Sequence, residues 1–213
     1  MKKTASLLLA LCLLLTWIPL AATAESKEGA SSPILFRGIP WGTSYAEFSQ
    51  TLELGVWSEP GSGGDSFAYR MYGGEELPFN AEVERFAYCH IDEVAGYPVE
   101  DTVVLFARVP GGDGLLTDKV EDSALFYARY RLRPADAAEC EADLIAKLTR
   151  LYGEADTSHE GFILWHGAEG TAVSLVPGSP LIGIRYCFEG CDDLLQAAQD
   201  AIKYEHSLNV DGL

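Results

Sequence analysis

Residues 124–132 read Ala-Leu-Phe-Tyr-Ala-Arg-Tyr-Arg-Leu, and their alternation decides the fold class. Side chains of a strand point to opposite faces in turn. One face therefore collects Ala124, Phe126, Ala128, Tyr130 and Leu132, and the other Leu125, Tyr127, Arg129 and Arg131. An apolar face set against one that carries cations is the pattern of an antiparallel strand wet on one side.

Reading outward from that strand, β-branched and aromatic runs at 66–72, 83–91 and 102–109 predict further strands upstream. Gly73 through Asn80 and Gly96-Tyr97-Pro98 read as turns, and 110–114 as a break. Ser44 followed by Glu47 is a capping-box pattern, and Tyr45, Phe48 and Leu52 follow at helical spacing, with Gly55 as a stop. Downstream, 136–152 predicts a helix with Cys140, Leu144, Ile145, Leu148, Leu151 and Tyr152 on its apolar side and Gly153 ending it. Strands at 161–166, 171–176 and 181–188 follow, then a helix over 191–202 facing Leu194, Leu195, Ala198 and Ile202 inward. Short turns between consecutive strands imply antiparallel pairing. The expected class is α+β, an antiparallel sheet with helices packed on one face; two helix-then-strands segments hint at a duplicated module, without clear self-similarity in their residues.

The beginning of the chain has a different character. Lys2 and Lys3 precede an apolar run through Leu7–Leu15, Trp17 and Ile18; Pro19 breaks it and Ala22-Thr23-Ala24 supplies small residues for a peptidase. Residues 1–24 are expected to be a cleaved signal peptide, the run being short of the ~20 residues that span a bilayer. Glu25 follows the expected cut where a lipoprotein would have cysteine. The divisions expected are a leader over 25–33, one domain over 34–203 with halves at 34–133 and 134–203, and a polar tail over 204–213. The expected location is secreted or extracytoplasmic.

The formal charge is −17, about −19 once Lys2 and Lys3 are removed with the leader. Such a balance disfavours nucleic acid and anionic lipid as partners. With 48% apolar residues, the chain can bury a real core. Of its five cysteines, Cys89, Cys140, Cys187 and Cys191 follow the cut, and export favours bridging among them. Cys187 and Cys191, with Gly190 to turn the chain between them, are the expected pair.

No motif fixes a reaction. His90, His159, His166 and His206 form no zinc-ligand spacing, no Gly-x-Ser-x-Gly surrounds a serine, and Gly111-Gly112-Asp113-Gly114 lacks the Gly-Lys-Ser/Thr of a phosphate loop. Asp113, Asp118, Glu121 and Asp122 miss the spacing of a calcium loop. Neither a cofactor nor a metal is expected. The reading is an exported binding protein of the cell envelope, with an unknown extracytoplasmic protein or envelope component as partner. Leu125, Tyr127, Arg129 and Arg131 are its expected contact surface, since interfaces favour Tyr and Arg. The alternative is a secreted hydrolase with a carboxylate or metal site.

Phe36-Arg37-Gly38-Ile39-Pro40-Trp41-Gly42, followed by the capped helix, resembles the opening of the mature domain in a group of uncharacterised exported bacterial proteins. Leu151-Tyr152-Gly153 is similar to a later helix end in the same group. The resemblance implies a cell-envelope or secreted location and no particular activity. A fainter likeness is to small envelope modules of helix packed on antiparallel strands, such as the small lipoprotein of outer-membrane assembly and the proteinaceous β-lactamase inhibitors. It implies a binding protein.

Overall fold

Trp41 and Phe36 set the N-terminal end of the fold. In the computed structural model, which describes residues 32–52, 68–70 and 76–210, the Phe36–Ile39 stretch is a tight turn. The Ile39 N–H donates to the Phe36 carbonyl at 3.0 Å, and Arg37 and Gly38 both have positive φ, at 53° and 77°. Two left-handed residues in succession are what a two-residue hairpin turn demands. The turn drives Phe36 into the core, its ring 5.2 Å from Tyr130 and 5.7 Å from Tyr186. Trp41 stacks on Phe188 at 5.4 Å and its indole N–H donates to the Ile34 carbonyl at 3.0 Å. The segment is a staple. The expected signal peptide and most of the leader lie outside the described residues.

Helix α1 (Tyr45–Thr51) carries the full capping box of Ser44 and Glu47. Strands β1 (Ala68–Arg70) and β2 (Glu76–Pro78) form a small antiparallel pair, so part of the expected 73–80 turn is extended. The expected helix stop at Gly55 lies outside the described residues. Next come β3 (Glu84–Cys89), β4 (Glu93–Val94), β5 (Tyr97–Ala107) and β6 (Ala124–Leu132). The chain continues with α2 (Ala137–Tyr152), β7 (Ile163–His166), β8 (Thr171–Val176), β9 (Ile182–Phe188) and α3 (Cys191–Val210). Tyr97 and Pro98 belong to β5 rather than to a turn. Ala95 and Gly96, at φ 57° and 92°, make the two-residue turn instead. Helix α3 continues to Val210, through residues expected to form a polar tail.

Strands β3 to β9 form one antiparallel sheet in the order β3-β5-β6-β9-β8-β7, with β4 paired to β5. Each half of the chain contributes a helix followed by a meander, and the last strands of the two meanders, β6 and β9, pair at the centre. The fold is α+β. Helices α1 and α2 share one face, where Phe48, Leu144 and Leu148 pack with Phe106, Tyr130 and Trp165. Helix α3 is the exception to the one-face expectation. It covers part of the opposite face, where Leu195, Ala198 and Ala201 join Phe86, Leu105 and Tyr127, because those sheet positions are apolar and need cover from water. On α2, Leu151 is 64% exposed and stands outside the expected apolar face.

Strand β6 does not alternate throughout. Leu105 pairs with Tyr127 and Phe106 with Leu125, leaving Phe126 as an extra residue in a β-bulge. A bulge shifts the alternation by one position on either side of it. Leu125 therefore joins the α2-side core with Ala128 and Tyr130, while Phe126 and Tyr127 both enter the α3-side core.

Candidate functional site

The sheet face that α3 covers in part carries a row of registered residues. Tyr88 of β3 pairs with Val103 of β5, Val103 with Arg129 of β6, and Arg129 with Arg185 of β9. Two residues along and on the same face, Asp101 pairs with Arg131. Asp101 is brought into position by a second irregularity, between Val99 and Asp101, that sets Glu100 aside to bond Arg133 at 2.6 and 3.0 Å. Three arginines and one aspartate thus meet around the central strand pair.

Arg131 donates from Nε to Asp101 Oδ2 at 2.6 Å, and its Nη2 bonds the same oxygen. The other oxygen, Oδ1, accepts no hydrogen bond among the described residues and faces Arg129 Nη2 at 3.7 Å. The side chains of Asp101 and Arg129 are only 13% and 15% exposed, whereas that of Arg131 is 43% exposed. Burial lowers the pKa of Arg129; Tyr127 and Asp101 oppose that shift, while the cations Arg131 and Arg185 add to it. The hydrogen bond to Asp101 raises that of Arg131. Half-buried Arg185 has a buried Nε with no hydrogen-bond partner among the described residues.

Like charges directly opposite on neighbouring strands are destabilising. Arg129 and Arg185 are such a pair, and Asp101 supplies one negative charge to three positive ones. In a chain with 15 basic and 32 acidic residues, this is an unusual place to spend three cations. Paired guanidinium groups present N–H donors in a planar fork that fits carboxylate and phosphate oxygens. Chemically, the cluster can hold an anion.

Of the expected contact residues, Leu125 and Tyr127 are fully buried, Leu125 because the bulge turns it to the α2 side and Tyr127 because it enters the α3-side core. Burial pushes the Tyr127 hydroxyl up to about 12, against the pull of Arg185 and Arg129. Arg129 and Arg131 remain on the partly open face, joined by Arg185 and Asp101, which sequence reasoning missed. Arg185 is a lone charged residue between Ile184 and Tyr186 in an apolar strand, and that was the available signal. Tyr88, 42% exposed, lies at the β3 end of the row.

Other chemistry is sparse. His159 and His166 flank Asp156 at 3.5 and 3.9 Å, and His90 lies 3.3 Å from Asp92. Among the described residues, no group of three or more His, Cys, Asp or Glu is placed to hold a metal ion. The displaced carboxylates, Glu100, Asp143, Asp156 and Asp200, all shift downward, chiefly through hydrogen bonds from Arg133, Lys147, Ser158 and Lys203 respectively. None of these is the proton-holding acid that a two-carboxylate hydrolase uses.

The expected Cys187–Cys191 bridge is not formed. Both are free thiols buried in the α3-side core, as are Cys89 and Cys140 in the α2-side core. Packing, rather than a covalent link, joins β9 to α3. Burial raises all four thiol pKa values: Cys140 to about 11, Cys89 and Cys191 to about 12, and Cys187 further still. Only thiolate reacts readily. A chain starting at Glu25 should take up almost no iodoacetamide at pH 8 while folded, and four equivalents in urea. Fast labelling of the folded chain, counted by mass spectrometry, would refute this.

Compared with protein-family models, curated proteins and solved structures, the chain has no significant match.

Proposed function

We propose that the chain is an exported, non-catalytic binding protein of the cell envelope that engages an extracytoplasmic partner through the arginine-bearing face of its sheet. The supporting observation is the cross-strand pair Arg129–Arg185, a like-charge arrangement that costs stability and so favours a role in recognition. Export rests on the basic, apolar and small-residue pattern of 1–24. No helix among the described residues is long and apolar enough to cross a membrane. The partner brings further negative charge to a face where, among the described residues, three arginines gather around Asp101.

Replacing Tyr88 with a photo-crosslinking phenylalanine derivative tests this reading in the exported fraction. The expected result is one dominant adduct with a partner protein or envelope component, lost when Arg129→Gln and Arg185→Gln are combined. An adduct indifferent to both arginines, or none at all, would remove this face from the function.

A further inference from the structure

We infer that Arg37 and Tyr152 flank a second ligand site, on the α2 side of the sheet, that takes the carboxylate of a small organic acid.

Four side chains from four separate elements gather over the seam between β6 and β9. Tyr130 of β6 and Tyr186 of β9 occupy diagonal positions of that strand pair, Tyr130 opposite Ile184 and Tyr186 opposite Ala128. Their ring centroids are 6.0 Å apart. Phe36 lies against both rings, at 5.2 and 5.7 Å, and the turn it opens carries Arg37 to the same place. Tyr152, the last residue of α2, packs against the same buried cluster. Burial raises the pKa of Tyr130 and of Tyr186; Arg37 opposes both shifts and Tyr152 adds to both. Tyr152 itself is raised by burial alone. Arg37 and Tyr152 are thus each near the two central hydroxyls, with Arg37 standing further from Tyr152.

Access decides which of the four a solute touches. Arg37 is exposed and Tyr152 partly so, whereas Tyr130 is buried. Tyr130 and Tyr186 are the floor, and the ligand rests on the two residues at its sides. Among the described residues Arg37 has no ion-pair partner, and no carboxylate acts on Tyr130 or Tyr186. In a chain with 32 acidic residues, a cation set among phenols and away from acids is an open position for an anion. The turn does not itself ask for arginine, since φ 53° suits glycine or asparagine better.

The chemistry selects the anion. A guanidinium fork meets a carboxylate with two parallel N–H···O bonds, and a tyrosine kept neutral by its raised pKa stays a donor. One cation matches the single charge of a carboxylate. A phosphate group, at about −1.5 to −2, calls for a second, and none acts on the floor tyrosines. A floor two rings wide has the scale of a small molecule.

The test follows the Arg37 Nε–H by NMR in the whole chain from Glu25, titrated with para-hydroxybenzoate. Its neutral methyl ester, acetate and inorganic phosphate are the comparison arms. The acid should shift the Arg37 signal and acetate should do so more weakly, while the ester and phosphate each bind roughly tenfold or more weakly than the acid. Arg37→Asn, a residue that tolerates the left-handed turn, should keep the melting temperature within about 2 °C and lose tenfold or more in affinity. Tyr152→Phe, which removes only a hydroxyl, should weaken the acid several-fold. Arg37→Lys, which keeps the charge without the fork, should also weaken it and serves if the asparagine variant does not fold. The inference falls if the ester or phosphate binds as tightly as the acid, if the Arg37 signal does not move, or if the folded Arg37 variants bind as the parent does.

Discussion

Asp101→Ala is expected to cost the fold about 3 kcal/mol, because it removes the carboxylate that faces Arg129 and Arg131 in a half-dry setting. Breaking a buried pair by deleting one partner typically costs 3–5 kcal/mol. The lower end applies here, since Arg131 is 43% exposed and can recover water, whereas Arg129 cannot. In a chain of this size that loss lowers the melting temperature by roughly 9 °C. Adding Arg185→Gln should return about 1 kcal/mol by removing a neighbour that repels Arg129. Urea unfolding of the single and double variants measures both effects. A loss below about 1 kcal/mol for Asp101→Ala would mean that the arginines disperse into water and that the cluster is not held together.

Trp165→Ala is expected to be the most damaging single truncation, at about 4 kcal/mol, within the range for large buried aromatics. Trp165 is fully buried on β7, and its indole N–H donates to Thr149 Oγ1 of α2 at 3.3 Å. It ties an edge strand to the helix beneath it, so amide exchange should quicken first in β7 and in the facing turns of α2. Leu151→Ala, on the same helix but 64% exposed, serves as the control and should fall within about 0.5 kcal/mol of the parent. Equal losses from the two would contradict the packing described.

Much of the architecture was legible in local chemistry. The capping box at Ser44 and Glu47 and the Gly153 stop of α2, at φ 89°, appear where sequence places them. Helix α2 and strand β8 begin and end within a residue of expectation, since their signals are local. The bulge at Phe126 was not legible. It is a misfit between two strands, settled by what Leu105 and Phe106 can pair with across the sheet. For the same reason the candidate site was half visible. Arg129 and Arg131 follow from alternation along one strand, but pairing Arg129 with Arg185, 56 residues away, requires knowing that β9 returns to β6 past β8 and β7. Asp101 was hidden by the offset at Glu100, which extends β5 beyond its expected start. The end of α3 was misjudged because polar residues that look like a tail make an adequate exposed helix once Leu195 and Ala198 anchor its first turns.

The N-terminal staple carries a consequence for the order of events as the chain is made. Several of its partners come from the last quarter of the sequence. Ile34 N–H donates to Thr171 Oγ1 at 2.7 Å, Ala168 N–H to the Ser32 carbonyl at 3.1 Å, and Trp41 lies against Phe188. The residues of this staple are thus among the last to find their places. Closing a loop of more than a hundred residues delays docking until the strands that receive it exist. A chain emerging from its amino end keeps Trp41 uncovered until Phe188 has followed.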